Sequence, residues 1–533
     1  MTSIVDNQNL RLFWEERAAA NAGRTAVIYE NDAGEVSSWS YAALNQEINQ
    51  VANLFIAHGV QKGDAVIVQM TNTPAFLKVW FGLAKIGAVI VPINTGFKLR
   101  ELHHPIQVVG ARFCVCDAKF LPAWRQYAAE HPGVWRAAFV CAGDCSGECA
   151  DAHDWIDLEA KAADMSRALA EIRPIDPRDP AEVLFTSGTT SLPKGALITH
   201  ANLLYAGQFT AAQARMDRDD RLLTTMPNFH VDFQCSGVMP ILTVAGTLIM
   251  AHRFSAHRFW GQIRHHRATL AQAVPMMLRT VMLQPVAPGE RDHQLRDILY
   301  ALSMRKDEYE AFKARFGVDL INSYGMTETL VGVITVLPEV DRHFPSVGRP
   351  FFGYEAKIAG PDGSEAPRGT VGDFWVRGIP GETIFAGYVN NPEATRQAFS
   401  EDGWFKSSDK GVCDEAGWFW FVDRSINMIK RSGENISSTE VEDVLAMHPA
   451  VAEAAVIGVP DPIRDEAVFA YVSLKPGQTA TKQELLAHCK AELADFKVPS
   501  YIEFREGFER TCTGKIVKDL LKREDHSESE RLC

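Results

Sequence analysis

The sequence predicts an α/β protein with a large N-terminal domain, made of parallel-sheet lobes and a β-barrel-like portion, followed by a smaller α+β C-terminal domain. The chain has 533 residues, of which 46% are hydrophobic and 23% are charged. This is a globular composition at a length that exceeds what one hydrophobic core usually supports. Apolar runs alternate with helix-length segments in the first half, and the pattern changes to short turn-separated runs later.

The clearest of these alternations begins at Asp64. The chain reads AVIVQM, then NTPAFLKVWFGLAKIG, then AVIVPIN. Two buried apolar runs on either side of a helix, which we expect Asn72 to cap, predict a βαβ unit and therefore a parallel sheet. A similar alternation between Glu182 and Met277 predicts a second lobe of the same kind.

The pattern changes between Gly353 and Val422. Short runs such as EAKIA, GDFWVRG and WFWFV are separated there by Gly, Pro and Asp. Strands of this length with frequent turns predict an antiparallel or barrel-like portion.

Beyond Asp423 the sequence predicts a separate α+β domain. Thr439 and Glu442 have the spacing of a capping box before a short helix, and the apolar runs AAVIGV and AVFAYVSL that follow predict strands. A second box, Thr481 with Glu484, predicts a helix that runs to about residue 493.

We therefore divide the chain into three parts. Residues 1–425 form the N-terminal domain, residues 426–521 form the C-terminal domain, and residues 522–533 form a charged tail that we expect to be disordered.

Charge and hydropathy exclude several classes of protein. The formal net charge of −13 gives no general attraction for nucleic acid or for an anionic membrane. The longest apolar run, Gly237 to Met250, is too short to cross a bilayer as a helix and contains Pro240. The N-terminus lacks the basic and apolar segments of a signal peptide, so we expect a cytoplasmic protein without membrane insertion. These patterns do not determine the oligomeric state.

Ten cysteines in 533 residues are too few for a disulfide scaffold. Cys141, Cys145 and Cys149 lie close together, but their spacing and their acidic, glycine-rich surroundings favour a surface loop over a zinc site.

The strongest motif is TSGTTSLPKG, from Thr186 to Gly195. Five hydroxyl residues, two glycines and a lysine stand between the apolar runs EVLF and ALIT, and these groups together suit a polyphosphate. Pro193 and Gly195 on either side of the lysine distinguish it from the P-loop, and the flanks predict a loop between two strands. The alternative is a polar turn without a ligand.

At this loop the sequence resembles the adenylate-forming superfamily of acyl-CoA synthetases, luciferases and nonribosomal adenylation domains. The segment SYGMTET, from Ser323 to Thr329, resembles the second signature of that superfamily. The resemblance implies ATP, Mg²⁺ and coenzyme A as cofactor or co-substrates, a small carboxylic acid as substrate, and a mobile C-terminal domain. In this interpretation Thr186 is catalytic and Glu328 is both catalytic and the magnesium ligand. The other implied nucleotide contacts of this part are Ser187, Gly188, Thr189, Thr190, Lys194, Ala301, Leu302, Tyr324, Gly325 and Thr327.

Two later segments extend the resemblance. WFKSSD matches the segment whose aspartate binds the ribose hydroxyls, which implies Asp409 as ribose ligand with Arg424 as its partner. RTCTGKI matches the motif that delivers the catalytic lysine, which implies Lys515. The interdomain hinge position falls on Ile426, where many members have Asp or Lys.

The C-terminal domain is also expected to present the coenzyme A side after it rotates. The resemblance implies cofactor contacts from three residues of NMIKRSGENIS, namely Lys430, Gly433 and Glu434. Glycine allows the backbone to approach the pantetheine arm closely.

The segment MPNFHVDFQCSG lies where the superfamily binds the acid, with His230 expected near the carboxylate as a catalytic residue. We expect Phe229, Asp232, Phe233 and Gln234, with Trp260 a further candidate, to surround the rest of the acid. An aspartate among aromatic rings favours a small polar acid, and a quaternary ammonium would gain both a countercharge and cation–π attraction. Further segments resemble the betaine-acid ligase branch, which implies carnitine, crotonobetaine or γ-butyrobetaine.

Three alternatives remain open at this point. The protein could be a CoA ligase for another small polar acid, such as a hydroxy- or sulfo-carboxylate. It could load a carrier protein, although too few residues follow Lys515 for a fused carrier. It could also be a non-catalytic sensor of an acyl group or nucleotide.

Overall fold

The computed structural model describes most of the chain. The described residues are 5–97, 99–141, 155–186, 193–301, 304–338, 343–424, 428–431, 434–461, 465–493, 497–511, 515–526 and 529–532.

The helices are, in chain order, α1 (Leu10–Ala20), α2 (Tyr41–Ala57), α3 (Pro74–Lys85), α4 (Leu99–Val109), α5 (Leu121–Glu130), α6 (Leu158–Ala163), α7 (His200–Gln213), α8 (Met239–Thr243), α9 (Ala256–His265), α10 (Pro275–Met282), α11 (Lys306–Phe316), α12 (Pro392–Ala398), α13 (Ser438–Met447), α14 (Lys482–Glu492) and α15 (Lys518–Leu521). A π-helix spans Asp232–Val238, and 3₁₀ turns span Ala118–Phe120 and Thr327–Thr329.

The strands are β1 (Thr25–Glu30), β2 (Val36–Ser40), β3 (Ala65–Gln69), β4 (Val89–Pro92), β5 (Phe113–Asp117), β6 (Ala137–Cys141), β7 (Ile156–Asp157), β8 (Pro180–Phe185), β9 (Gly195–Thr199), β10 (Arg221–Thr224), β11 (Thr247–Ala251), β12 (Leu270–Ala273), β13 (Asp297–Ala301), β14 (Asp319–Tyr324), β15 (Ile334–Thr335), β16 (Arg349–Pro350), β17 (Glu355–Ala359), β18 (Gly372–Arg377), β19 (Gly387–Tyr388), β20 (Phe405–Cys413), β21 (Phe419–Arg424), β22 (Met428–Arg431), β23 (Glu434–Ser437), β24 (Val451–Asp461), β25 (Asp465–Leu474) and β26 (Tyr501–Phe504).

The chain divides into two compact units. The first comprises Met1–Ala356 and Val376–Phe405, and the second comprises Lys357–Trp375 and Lys406–Cys533. The domain boundary predicted at residue 425 lies inside the second unit, and it stays a prediction.

The first unit contains two large mixed sheets, which confirms the predicted parallel-sheet lobes. One has the order β16-β15-β14-β13-β12-β10-β11-β1-β2, and the other has the order β19-β9-β8-β4-β3-β5-β6-β7. The predicted βαβ unit is present as β3, α3 and β4, and the two strands pair in parallel. Crossover helices on a parallel sheet leave the loops after the carboxyl ends of the strands available for a site.

One detail of that unit differs from the prediction. Thr73, not Asn72, occupies the N-cap of α3, and its side chain makes no capping hydrogen bond. The Asn72 amide instead donates to the carbonyl of Met226, 2.7 Å away, and its oxygen accepts from the backbone of Asn228. Asn72 therefore ties one sheet of the unit to a loop of the other.

The second unit contains most of a four-stranded sheet, β17-β18-β20-β21, and a five-stranded sheet in which β23-β22-β25-β24 is extended by β26 on β25. The strands predicted from AAVIGV and AVFAYVSL are β24 and β25, which pair antiparallel. Thr481 and Glu484 form the predicted capping box. The other predicted box is wrong, because Ser437 caps α13 and its hydroxyl accepts from Glu440.

The described residues of the charged tail make specific contacts, and the disorder expected of residues 522–533 stays a prediction. Arg531 lies 3.0 Å from the buried carboxylate of Asp461, the backbone of Leu532 donates to Ser500, and His526 bonds the hydroxyl of Tyr471. The charges of the described tail residues thus have specific partners on the second unit, which composition alone does not reveal.

Candidate active site

The motif from Thr186 to Gly195 connects the two strands of a β-hairpin in the first unit, as predicted. Strands β8 and β9 pair antiparallel with Phe185 opposite Gly195, and the backbone N–H of Thr186 donates to the carbonyl of Lys194 over 2.9 Å. Residues 187–192, including the expected contacts Ser187, Gly188, Thr189 and Thr190, lie outside the described residues. The described ends hold Lys194 at the base of the loop.

His104 supports this loop from α4. Its Nε2 donates to the carbonyl of Pro193 over 2.8 Å, and its ring packs edge to face on Phe185. No sequence pattern pointed to this residue, because its partner lies 89 positions away.

The second signature follows β14 and turns through the 3₁₀ segment. Glu328 is 8% exposed, and the hydroxyl of Tyr388 donates to its Oε1 over 2.7 Å. The ammonium of Lys194 lies 5.1 Å from the centroid of the same Tyr388 ring. Tyr388 therefore joins the two signature motifs. Burial, with the Glu328 charge beside it, raises the pKa of this hydroxyl far above its usual range, so it remains a donor.

Tyr388 was missed by the sequence reasoning. It lies in the two-residue strand β19, whose pairing with β9 places it opposite Ala196. Only this long-range pairing brings the ring beside the lysine.

The residues expected around adenine lie on adjacent strands. Ala301 ends β13 directly opposite Ser323 of β14, and Tyr324 follows with 6% of its surface exposed. A Cβ added to Gly325 would lie 2.1 Å from the carbonyl of Val331, so only glycine fits there. Leu302 lies outside the described residues. Thr327 begins the 3₁₀ turn that contains Glu328.

The segment expected to bind the acid follows the carboxyl end of β10. The amide of Asn228 donates to the carbonyl of Met70 over 2.9 Å, and its backbone donates to Asn72. The next residues are Phe229 and His230, both partly exposed. The Nδ1 atom of His230 accepts a hydrogen bond from the backbone N–H of Asp232 over 3.2 Å. In the neutral ring the proton is therefore on Nε2.

Asp232 opens the π-helix and keeps some exposed surface while it lies deep among protein atoms. Desolvation raises the pKa of its carboxyl to about 6, and a hydrogen bond from Ser236 opposes part of that rise. Phe229, His230 and Asp232 all keep some exposed surface, so they form an accessible set.

Two other residues expected at the acid, Phe233 and Trp260, are covered by neighbouring side chains. Phe233 is fully buried and packs edge to face on Phe76. Trp260 belongs to a separate cluster, with its ring centroid 3.9 Å from that of Phe316. The interpretation of Phe233 and Trp260 as acid-contacting residues is therefore corrected, because neighbouring side chains cover both rings.

Gln234 is also fully buried, so it cannot line the acid site directly. Its Nε2 donates to Oε1 of Glu182 over 2.6 Å and to the carbonyl of Asn228 over 3.0 Å. Glu182 lies in β8 and is fully buried as well. Desolvation raises the pKa of Glu182 well above its usual range, although the bond from Gln234 lowers it in part.

The second unit contains the remaining expected residues. Asp409 is 5% exposed and lies opposite Arg424 in the register of the antiparallel pair β20–β21. Lys430 and Glu434 lie on the hairpin strands β22 and β23, while Gly433 and Ile426 fall outside the described residues.

Lys515 is exposed and lies in a tight turn of the second unit. Its backbone carbonyl accepts from the N–H of Thr511 over 2.7 Å, and its own N–H donates to the hydroxyl of Thr511 over 3.1 Å. The isolated bridge between Arg510 and Ile516 closes this turn. A lysine held at such a turn can extend its ammonium towards a ligand.

Together these groups suit the activation of a carboxylate by a nucleotide. The first unit provides a loop for phosphate, one buried carboxylate with a tyrosine partner, and a partly exposed histidine and aspartate. The described residues contain no cluster of three His, Cys, Asp or Glu side chains placed to hold a metal by themselves, and none of their helices is long and apolar enough to cross a membrane. Cys145 and Cys149 lie outside the described residues, and the thiol of Cys141 donates to Glu159.

Comparisons with known proteins agree with this assignment. Residues 14–389 match the family described as AMP-binding enzyme, and residues 440–515 match the AMP-binding enzyme C-terminal domain. A crotonobetaine/carnitine–CoA ligase of Citrobacter koseri is 45% identical over 520 residues, which cover 97% of this chain and all of the relative.

Solved structures give the same result. ATP-bound MatB from Rhodopseudomonas palustris superposes with a TM-score of 0.86 at 28% identity and covers 97% of this chain and 98% of its own. The anthranilate CoA ligase AuaEII in complex with anthranoyl-AMP has the same TM-score at 26% identity, with 97% and 96% of the two chains covered.

Proposed function

This chain belongs to the AMP-binding enzyme family, and from that premise we propose that it ligates a betaine acid to coenzyme A through an acyl adenylate, with carnitine, crotonobetaine and γ-butyrobetaine as its acids. The observation that carries the choice of acid is the pair of Asp232 and Phe229 beside His230. The ligase of Citrobacter koseri, with its 45% identity over nearly the whole chain, supports the same choice.

The first half-reaction converts the carboxylate into an acyl donor. A carboxylate oxygen attacks the α-phosphorus of ATP, the bond from that phosphorus to the bridging oxygen of the β-phosphate breaks, and pyrophosphate leaves. Negative charge accumulates on the α-phosphate oxygens in this step. Lys515 is proposed to stabilise that charge, because a cation placed there favours the transition state over the ground state.

Residues of the first unit orient the reactants. The loop from Thr186 to Lys194, which we call the phosphate loop, is proposed to bind the phosphates through hydroxyl, backbone and ammonium donors. His230 accepts a backbone bond at Nδ1, so its neutral ring carries the proton on Nε2, and we propose that this N–H donates to the acid's carboxylate.

The protein presents a fitting ligand for Mg²⁺ in Glu328. Magnesium bound to a nucleotide typically takes one or two protein carboxylates together with phosphate oxygens and water. Glu328 is a buried carboxylate bonded by the hydroxyl of Tyr388, and the ring of that tyrosine lies against Lys194 of the phosphate loop. Bound there with ATP, Mg²⁺ would supply positive charge to the phosphates.

In the second half-reaction the sulfur of coenzyme A attacks the acyl carbon, and the bond from that carbon to the AMP oxygen breaks. The thiol gives up its proton and AMP leaves.

Asp409 with Arg424 is proposed to bind the ribose, and Lys430, Gly433 and Glu434 to bind coenzyme A. The C-terminal domain, proposed as residues 426–521, is expected to rotate about Ile426 between the two steps. ATP and coenzyme A are both available in the cytoplasm, where we place the reaction.

The quaternary ammonium is the part of the acid that Asp232 would recognise. A trimethylammonium group donates no hydrogen bond, so it gains affinity from a countercharge and from an aromatic face. Phe229, which is partly exposed and lies three residues before Asp232 in the chain, is proposed to provide that face.

A substrate panel tests the proposal. ATP-dependent release of pyrophosphate and formation of a CoA thioester are measured for L-carnitine, crotonobetaine and γ-butyrobetaine, and for acetate, a hydroxy acid, a sulfonated acid and a long fatty acid. The betaines are expected to have the highest kcat/KM. Preference for the hydroxy or sulfonated acid would refute the betaine assignment and leave the ligase reaction standing.

A further inference from the structure

A buried carboxyl lies in the strand that enters the phosphate loop. Glu182 is four residues before Thr186, and β8 has β4 on one side and β9 on the other, with Ile90 and Ile198 as its register partners. A carboxyl buried in the middle of a sheet is unfavourable unless it stays neutral and hydrogen-bonded. Its raised pKa agrees with a neutral acid.

Gln234 connects this carboxyl to the segment that carries the acid-binding residues. One amide group donates both of its hydrogens, one to Glu182 and one to the carbonyl of Asn228. Asn228 is itself fixed to Met70 and Asn72, which follow β3 in the same sheet as β8. Asn228 immediately precedes Phe229 and His230, which we call the acid-binding turn. The side chain of Gln234 therefore bridges this turn and β8, the strand that enters the phosphate loop.

This connection is not built for stability alone. Oε2 of Glu182 and Oε1 of Gln234 are buried and have no hydrogen-bond partner among the described residues. Unsatisfied buried oxygens are unfavourable and are retained mainly where they serve a purpose. The π-helix that contains Gln234 is itself a rare conformation that occurs often at functional sites.

The opposite side of the π-helix is held as well. The amide of Gln272 donates to the carbonyl of Asp232 over 2.8 Å. Its oxygen lies so close to Gly237 that a Cβ added there would be 2.5 Å from Oε1 of Gln272. With Gln272 fixing one side and Gln234 the other, the position of Asp232 depends on both amides.

We infer that Glu182 and Gln234 form a positioning pair, which sets the distance between the acid-binding turn and the phosphate loop and thereby determines which acids are adenylated. The inference rests on the proposed ligase reaction. Neither residue touches the substrate, because both are fully buried. Their effect reaches the acid through Asn228 and the π-helix.

The test uses the full-length protein and takes as reference the acid on which the wild type is most active. Gln234→Met keeps the volume and removes both donors. We expect it to raise KM for the reference acid about tenfold while KM for ATP changes less than about twofold. Glu182→Gln keeps an acceptor for Gln234 and is expected to behave like the wild type.

A double variant separates positioning from stability. Glu182→Met combined with Gln234→Met removes both polar groups, so its Tm is expected to recover relative to Gln234→Met. Its KM for the acid is expected to stay high, since the bond to Asn228 is still missing. A matched control is Gln262→Met, which breaks another buried Gln–Glu pair, in which Gln262 donates to Glu30 over 2.9 Å. It should lower Tm and leave both KM values unchanged.

Two results would overturn the inference. One is a wild-type KM for the acid in Gln234→Met. The other is a parallel rise of both KM values that the double variant restores together with Tm, because that pattern indicates a purely structural role. If the wild type formed no adenylate from any acid, the ligase function itself would fail, and this inference with it.

Discussion

Replacing Asp232 by Asn should remove the preference for a cationic acid and leave the adenylation chemistry intact. The carboxyl has a pKa of about 6, raised by burial from an ordinary 3.8, so it is mostly ionised above neutral pH. Two unit charges about 4 Å apart attract by about 4 kcal/mol at an effective dielectric constant of about 20. Desolvation of the ammonium offsets part of this, and we expect a loss of about 3 kcal/mol, or about a hundredfold.

The assay compares γ-butyrobetaine with 5,5-dimethylhexanoate, its neutral isostere in which carbon replaces the quaternary nitrogen. The ratio of their kcat/KM values, measured by pyrophosphate release, cancels any general loss of activity. Asp232→Asn is expected to lower the ratio about a hundredfold, mainly by losing the betaine. A ratio that stays within about threefold of the wild-type value would refute the reasoning.

Asp220 provides a matched control for this experiment. Asp220 is also a buried aspartate, and it is paired with Arg296. It precedes β10, whereas Asp232 follows the other end of that strand. Asp220→Asn should lower stability through its lost partners and leave the ratio of the two acids unchanged.

The other predictions concern pH and the proposed catalytic groups. Asp232 is protonated below its pKa of about 6, so kcat/KM for the betaine should fall about tenfold per pH unit in that range. The ratio of the betaine to the neutral isostere should fall with it, and Asp232→Asn should abolish this pH dependence of the ratio. Lys515→Ala should slow adenylate formation about a hundredfold to a thousandfold and spare thioester formation from a supplied adenylate, which single-turnover assays of the two halves measure. Gly433→Phe should do the reverse, and equal loss of both halves in both variants would contradict the two-conformation mechanism. Tyr388→Phe keeps the ring and removes the hydroxyl bonded to Glu328, so the Mg²⁺ concentration needed for half-maximal activity should rise several-fold, about threefold to tenfold, in a magnesium titration.

The elements that the sequence predicted well are determined by local patterns. The parallel strands β3 and β4 around α3, the hairpin that carries Lys194, and the capping box of Thr481 all follow from the order of apolar, polar and turn residues over short stretches. Local periodicity and local hydrogen bonds are sufficient there.

The features that the sequence did not predict depend on partners far away in the chain. Asn72 has the composition of a helix cap, yet it bonds residues 154 and 156 positions later. Tyr388 meets Glu328 and Lys194 only because β19 pairs with β9. The charged tail finds partners on β24 and β25, and composition contains no information about such pairings.

Within the candidate site the residue types were informative, but their exposure was not. The segment from residue 229 to 234 was singled out by its residue types, and its role stays a prediction, but its side chains divide between the accessible set and the interior. The π-helix sets which side chains are covered, and no sequence periodicity predicts a π-helix of one or two turns. Gln234 was therefore assigned to the acid when its partner is the buried Glu182.

The most direct test of the central claim follows the oxygen of the acid. The wild-type enzyme is incubated with ATP, coenzyme A, Mg²⁺ and γ-butyrobetaine labelled with ¹⁸O in its carboxylate, and the products are examined by mass spectrometry. An acyl adenylate predicts a CoA thioester of the betaine together with AMP that carries one ¹⁸O atom, because the carboxylate oxygen remains on phosphorus when sulfur attacks carbon. Label in inorganic phosphate with ADP as co-product, or unlabelled AMP, would contradict the account.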